Sequence, residues 1–192
     1  MNAGEFSRWF RRRVWFPYGA LTGDFDHYCA HAYVKYQIAK ILRPASIVEI
    51  GVKAGFSALA LIKGAGISLE AYTGIDDYRP GYAGWEAKDV AIHRARAEAV
   101  LPGRVIVSSS DGVPWPEAGL YHLDGDHSLA SVYSELSRAF QINPRAAVLL
   151  DDYDPVRMER NGVYQAAHRF CLEKGASALF IPSWRGECIV TL

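Results

Sequence analysis

Acidic residues recur in this chain directly after short apolar runs. Ile47-Val48-Glu49-Ile50-Gly51 carries the first and Gly74-Ile75-Asp76-Asp77 the second. Leu123-Asp124-Gly125-Asp126 and Leu149-Leu150-Asp151-Asp152 carry the third and fourth. A carboxylate is a poor strand former and costly in a core. Any one of these acids has a structural reading as a helix cap or turn former. Four of them, each ending a run that reads as a strand, point to one functional edge, because ligands of open parallel sheets bind at the carboxyl ends of the strands. Carboxylates gathered there can accept hydrogen bonds from hydroxyls, hold a hard cation through oxygen, or take a proton from a reacting group. His127, next to Asp126, adds a side chain suited to proton transfer near neutral pH.

The stretch Ile47 to Ser57 would present a ligand to these acids. It reads as a strand that passes through a turn with glycines at 51 and 55 into a helix. Such a turn brings backbone close to a nucleotide-like ligand. The Gly-x-x-x-Gly spacing lacks the close glycine pair of the dinucleotide fingerprint, and no Gly-Lys-Ser/Thr of the P-loop type occurs. A pyrophosphate is therefore disfavoured, and a ligand with a ribose but no phosphates fits better. Asp76 is placed to accept from ribose hydroxyls, and Ser110 with Asp111 could receive an adenine edge. Glu49 would supply negative charge near a cationic ligand.

These positions need a scaffold, and the hydrophobic pattern predicts one. Asp26 could cap a helix over 27–42 that Pro44 ends. Strands are expected at 46–50, 69–75, 104–108, 120–123, 146–150, 178–181 and 188–192. Helices are expected from Gly55 to 63, over 85–100, over 128–140 with Glu135 on the exposed side, and over 162–174. This alternation predicts a Rossmann-like three-layer α/β sandwich with a mostly parallel seven-stranded sheet. The connection 182–186 is too short for a parallel crossover, so the last strand should be antiparallel. Residues 1–43 read as an N-terminal helical and lid segment, and 44–192 as the main domain of one globular unit.

Composition narrows the function. With 192 residues and half of them hydrophobic, one domain with a proper core is expected. Lys plus Arg and Asp plus Glu balance at 21 each, which gives no support to a nucleic-acid partner. Cys29, Cys171 and Cys188 are far apart and form no Cys-x-x-Cys pair, so a reducing cytoplasm is the easier setting. No apolar run approaches a membrane span. The basic, aromatic stretch Phe6 to Phe16 reads as an amphipathic helix or arm that packs on the domain or on a second subunit of a homodimer; otherwise residues 1–25 read as an irregular lead-in. The segments 18–31 and 78–85 read as lids. Tyr18, Tyr78, Tyr82, Trp85, Tyr153 and Trp184 could bound an apolar acceptor pocket.

Glu49-x-Gly51-x-x-x-Gly55-x-Ser57 followed by Gly74-Ile75-Asp76 resembles motif I and its successor in class I S-adenosylmethionine (SAM) methyltransferases. Leu123-Asp124-Gly125-Asp126-His127-Ser128 and Leu149-Leu150-Asp151-Asp152-Tyr153 resemble the small-molecule O-methyltransferases of the macrocin O-methyltransferase-like group, itself similar to the catechol O-methyltransferases. The resemblance spans roughly residues 44 to 192. It implies that Glu49, Gly51, Gly55 and Ser57 line the methionine portion of SAM. It places the ribose at Asp76, with Asp77 beside it, and the adenine at Ser110 and Asp111, with Asp124 also bordering the cofactor. It further implies a divalent cation, Mg²⁺ above all, on Asp124, Asp151 and Asp152.

In the catechol enzymes the base is a Lys three residues after the strand-four acid. Here that position is His127, so His127 or Asp126 would take the proton beside Asp124. The implied reaction is methyl transfer to a hydroxyl of a sugar- or polyphenol-type small molecule. An enzyme mainly aligns such a displacement, and a metal would lower the pKa of the acceptor. The rivals are a metal-dependent hydrolase on the same fold and a non-catalytic SAM- or nucleoside-binding module. In every case the clustered acids repel one another unless something cationic sits between them.

Overall fold

The computed structural model describes residues 1–13, 25–81, 85–183 and 185–192. Among them the chain forms α1 (Ala3–Arg13), α2 (Phe25–Leu42), β1 (Ile47–Ile50), α3 (Phe56–Ala65), β2 (Tyr72–Asp76) and α4 (Ala87–Val100). It continues through β3 (Val105–Val107), β4 (Leu120–Leu123), α5 (Leu129–Ile142), β5 (Ala147–Leu150), α6 (Gly162–Lys174), β6 (Ser177–Ile181) and β7 (Glu187–Thr191). The seven strands make one sheet in the order β3-β2-β1-β4-β5-β7-β6. Strands β1 to β5 pair in parallel, and β7 runs antiparallel to both β5 and β6. The expected Rossmann-like sandwich and its antiparallel last strand are both present.

Side-chain alternation assigns the two faces. Val48, Ile50, Tyr121, Leu123, Val148 and Leu150 pack under Val132, Leu136 and Phe140 of α5 and Val163 and Phe170 of α6. The intervening Ile47, Leu120 and Leu149 pack with Tyr72 under Ile38 and Ala39 of α2, Ala58 and Leu61 of α3, and Val90 and Ala97 of α4. Glu49 and His122 sit in the same alternation as this second set, opposite each other in the β1–β4 register. Strand order reverses between β1 and β4, so a crevice opens at their carboxyl ends.

Several elements differ from expectation. Residues 3–13 are not an irregular lead-in but the amphipathic helix that packs on the domain, with Phe6 and Phe10 buried against Cys29, Ala32, Tyr36 and Ala60. The rest of the aromatic stretch, 14–16, lies outside the described residues. Strand β2 starts at Tyr72 and not at Leu69: Tyr72 pairs with Ile47, the first residue of β1, and the residues before it close a 3₁₀ turn. Asp26 lies inside α2 and does not precede it. Glu135 is only 5 % exposed, contrary to its expected place on the open side of α5. The loop after β3 covers that side, where Arg138 donates to the carbonyls of Ser110 and Val113. Ser128 caps α5, its hydroxyl accepting from the Ser131 N–H. No helix among the described residues is long and apolar enough to cross a membrane.

Candidate functional site

Two backbone segments meet at the crevice. Gly51 has φ +85°, and a Cβ there would lie 2.1 Å from the Asp124 carbonyl oxygen. Only glycine permits the β1 turn and the end of β4 to approach this closely. Gly55, at φ +78°, starts α3 without any side-chain cap. Gly55 brings no side chain of its own to the first turn of α3, and a helix N-terminus favours a carboxylate ligand. Asp76 ends β2, and its two oxygens accept from the backbone N–H groups of Lys53 (2.8 Å) and Tyr78 (2.7 Å). Burial raises its carboxyl pKa against those two bonds.

Behind this crevice lies a buried polar network that the sequence reading did not foresee. Lys35 of α2 is 0 % exposed. Its Nζ donates to Ser57 Oγ (3.1 Å), His122 Nε2 (3.1 Å) and Asp151 Oδ2 (3.0 Å). An ammonium has three hydrogens and no acceptor, so all three are used. His122 Nε2 must then be an acceptor, and its Nδ1–H donates to Glu49 Oε1 at 2.9 Å. The Tyr72 hydroxyl donates to the other oxygen of Glu49. Beyond Asp151, His31 Nε2 lies 3.1 Å from Oδ1, and His31 Nδ1 lies 3.4 Å from Glu187. His31 and Lys35 are four residues apart and share one face of α2.

The electrostatics follow from this arrangement. Burial opposes both charges of the Lys35–Asp151 pair, yet for each group the surrounding charges together outweigh it. The carboxylates of Asp151, Glu187, Asp124 and Glu49 raise the Lys35 pKa despite burial. Burial likewise works against ionised Asp151, but Lys35 and His31 hold its carboxyl well below the usual range. Burial pushes the Glu187 carboxyl well up, and Lys35, 3.9 Å away, offsets this only in part.

The open side of the edge carries the rest of the acids. Asp124 and Asp152 are half-buried and bridged by His127, whose Nε2 is 3.5 Å from Asp124 Oδ1 and whose Nδ1 is 3.2 Å from Asp152 Oδ2. Arg185 Nη1 donates to the same Asp152 oxygen at 3.2 Å. Burial works against a charged His127, but Asp124 and Asp152 outweigh it and raise its pKa. Burial and the neighbouring Asp151 raise the Asp152 carboxyl. His127, Asp152 and Arg185 line an open cleft of about 350 Å³ with Asp154, Arg157 and Asn161.

The structure brings Asp124, His127, Asp151 and Asp152 together with the Gly51–Gly55 turn. It distributes the other expected residues unevenly. Glu49 has no exposed surface, and its carboxylate meets Tyr72 and His122, not the crevice. Its expected contact with a cationic ligand is not available as it stands. Asp126 is exposed and accepts from the N–H and hydroxyl of Ser128, the pattern of a turn and cap. Asp77 is exposed and paired with Arg79. Ser110 is partly buried, and its carbonyl accepts from Trp115 and Arg138; Asp111 is exposed. Of the expected pocket aromatics, Tyr78 and Tyr153 are buried in packing. Trp85 lies over His93 with Lys53 above its ring. Tyr18, Tyr82 and Trp184 lie outside the described residues.

The divalent cation implied for Asp124, Asp151 and Asp152 does not fit the residues as they are placed. Among the described residues two groups could gather donor atoms round a metal: His31 with Asp151 and Glu187, and His122 with Asp124 and Asp151. Lys35 Nζ stands within the second, 3.1 Å from His122, 3.0 Å from Asp151 and 3.8 Å from Asp124. It is also 3.9 Å from Glu187 in the first. Asp152, the third expected ligand, is already paired with His127 and Arg185.

No protein-family model matches the sequence, and no curated protein matches it. Solved structures do match. The SAH-bound methyltransferase PaMTH1 of Podospora anserina is 20% identical with a TM-score of 0.60, over 98% of this chain and 86% of its own. An O-methyltransferase from Bacillus cereus in complex with SAH is 14% identical with a TM-score of 0.59, over all of both chains. The O-methyltransferase TomG from Streptomyces achromogenes, involved in tomaymycin synthesis and solved with SAM, is 15% identical. It has a TM-score of 0.58 over 100% of this chain and 99% of its own. At these identities the likeness is one of fold.

Proposed function

We propose that this chain is a SAM-dependent methyltransferase that transfers a methyl group to a hydroxyl of a small molecule, of the sugar or polyphenol type. The observation that carries the reading is the close approach of the Gly51 turn to Asp124, with Asp76 ending the next strand. It occurs at the switch point of a fold shared over its whole length with proteins solved with SAM or SAH. Gly51, Gly55 and Ser57 would border the methionine portion. Asp76, with Asp77 beside it, would accept from the ribose, and Ser110 and Asp111 would border the adenine.

Bound SAM would supply an electrophilic methyl group on a sulfonium. The task of the protein is then to align the acceptor oxygen and receive its proton. His127 stands at the cleft with Asp124 and Asp152 on its two nitrogens, and a neutral imidazole there can take the proton. Asp126 is a weaker candidate, because Ser128 already occupies its oxygens. A Lewis acid has no part in this reading, since a lysine fills the seat among the acids.

Calorimetric titration with SAH tests the cofactor. Wild type should bind, and Asp76→Asn should bind at least about tenfold more weakly, the scale of a lost charge-assisted hydrogen bond. Undiminished binding by the variant would reject the ribose assignment. Absence of binding by wild type would reject the cofactor itself.

A further inference from the structure

We infer that Lys35 is the resident cation of this acidic edge: its ammonium holds the seat among His122, Asp124 and Asp151 that a divalent ion would otherwise fill. Clustered carboxylates need positive charge between them, and here the charge comes from α2. A divalent ion such as Mg²⁺ bonds oxygen at about 2.0–2.1 Å. An ion bonded to Asp151 Oδ2 and His122 Nε2 would collide with the Lys35 Nζ, which lies 3.0 and 3.1 Å from those atoms.

The lysine cannot readily withdraw. Its helical neighbours at three and four residues, His31, Ala32, Ile38 and Ala39, are all buried, so Lys35 lies mid-stripe on the packed face of α2. Its three donors have three acceptors, and leaving would strand the two buried ones, His122 and Asp151. The other acids of the edge have side-chain partners of their own: Asp124 lies against His127, and Asp152 against His127 and Arg185.

One consequence rests on the proposed function: methyl transfer here would proceed without a metal, and the acceptor proton would go to a side chain. The cation assignment itself does not depend on that reading, and it is tested without cofactor. Electron paramagnetic resonance of Mn²⁺ titrated with the full-length protein reports the free ion directly. Wild type should leave the free-ion signal unchanged. Lys35→Met should acquire an Mn²⁺ site, a gain of at least about tenfold in affinity, and a second substitution, Asp151→Asn, should remove it.

Wild type that binds Mn²⁺ and loses it on Asp151→Asn would overturn the inference. So would a Lys35→Met variant that retains its circular dichroism spectrum yet takes up no Mn²⁺. If that variant does not fold, the wild-type titration with its Asp151→Asn control still decides. SAH binding by wild type, measured separately, shows whether the methyltransferase reading stands whatever the Mn²⁺ result.

Discussion

Removing the Lys35 ammonium should cost this protein a large share of its stability, and removing its partner as well should return most of it. Lys35 is fully buried and Asp151 is 2 % exposed, with 3.0 Å between Nζ and Oδ2. Breaking such a pair from one side costs about 3–5 kcal/mol, because the remaining charge stays buried without compensation. That compares with a total stability on the order of 5–15 kcal/mol for a domain. Lys35→Met keeps most of the volume but strands Asp151 and His122 Nε2. Asp151→Asn keeps the shape but leaves the ammonium with neutral acceptors. In the double variant neither charge remains, so its loss should be no greater than that of either single variant.

Urea unfolding at neutral pH measures all four corners of this cycle. The pH dependence gives a second check. Lys35 and His31 hold the Asp151 carboxyl well below its usual range. A depressed carboxyl contributes stability that is present above its unfolded pKa, about 3.9, and lost as pH falls through the depressed value. Without its cation the same carboxyl, still buried, takes up a proton. The advantage of wild type over Lys35→Met should therefore widen as pH rises above about 4 and narrow below it. Single-variant losses that simply add in the double variant, within about 0.5 kcal/mol, would refute the coupling and with it the reading of Lys35 as a counter-ion.

Two further outcomes follow from groups on either side of this network. Burial pushes the Glu135 carboxyl up to about 7 from an ordinary 4.5. A raised carboxyl costs no stability below its unfolded pKa and progressively more as pH rises through the folded one. Glu135→Gln should thus stabilise the protein at pH 8 by up to roughly 3 kcal/mol, with the gap closing toward pH 4; a gap that ignores pH in urea titrations would reject this. His127→Gln should reduce methyl transfer by about a hundredfold or more, the scale of a lost general base, while SAH binding stays unchanged. The wild-type rate should rise with pH through an apparent pKa above the ordinary histidine value, since Asp124 and Asp152 raise it. Retention of that limb in the variant would remove His127 from the role.

Much of the fold was legible because short apolar runs and glycine punctuation carry it. The Gly51 turn, the four acidic strand ends and the antiparallel β7 all followed from local pattern. The failures share a cause: they depend on what covers a segment from elsewhere in the chain. Glu135 reads as a solvent-facing residue of α5 until Arg138 fastens the loop after β3 across that side. Leu69 to Ala71 read as strand, but β1 offers them no partner. Glu49 reads as a ligand contact until the β1–β4 register sets it opposite His122, with Tyr72 closing the other side. Lys35 did leave a trace. A lysine whose neighbours at three and four residues are His, Ala, Ile and Ala sits in the middle of an apolar stripe, where a solvated lysine has no place. A histidine inside the four-residue strand Leu120-Tyr121-His122-Leu123 is a similar sign. What no local pattern contains is that the two meet.

The two consecutive acids after β5 show how one edge serves two purposes. Asp151 turns into the network, where Lys35 and His31 keep its carboxyl ionised across the whole neutral range. Asp152 takes a left-handed backbone, φ +55°, and reaches the open cleft, where burial and the charge of Asp151 raise its carboxyl. Environments that drive two neighbouring carboxyls in opposite directions separate their roles. The ionised one cannot exchange protons in normal conditions, so it can only fix position, and through Lys35 it fixes Ser57 at the turn and His122 at β4. The raised one, with His127 against it and the cleft beside it, is where a proton can arrive and leave. A divalent ion shared between the two would erase that difference by holding both carboxylates ionised.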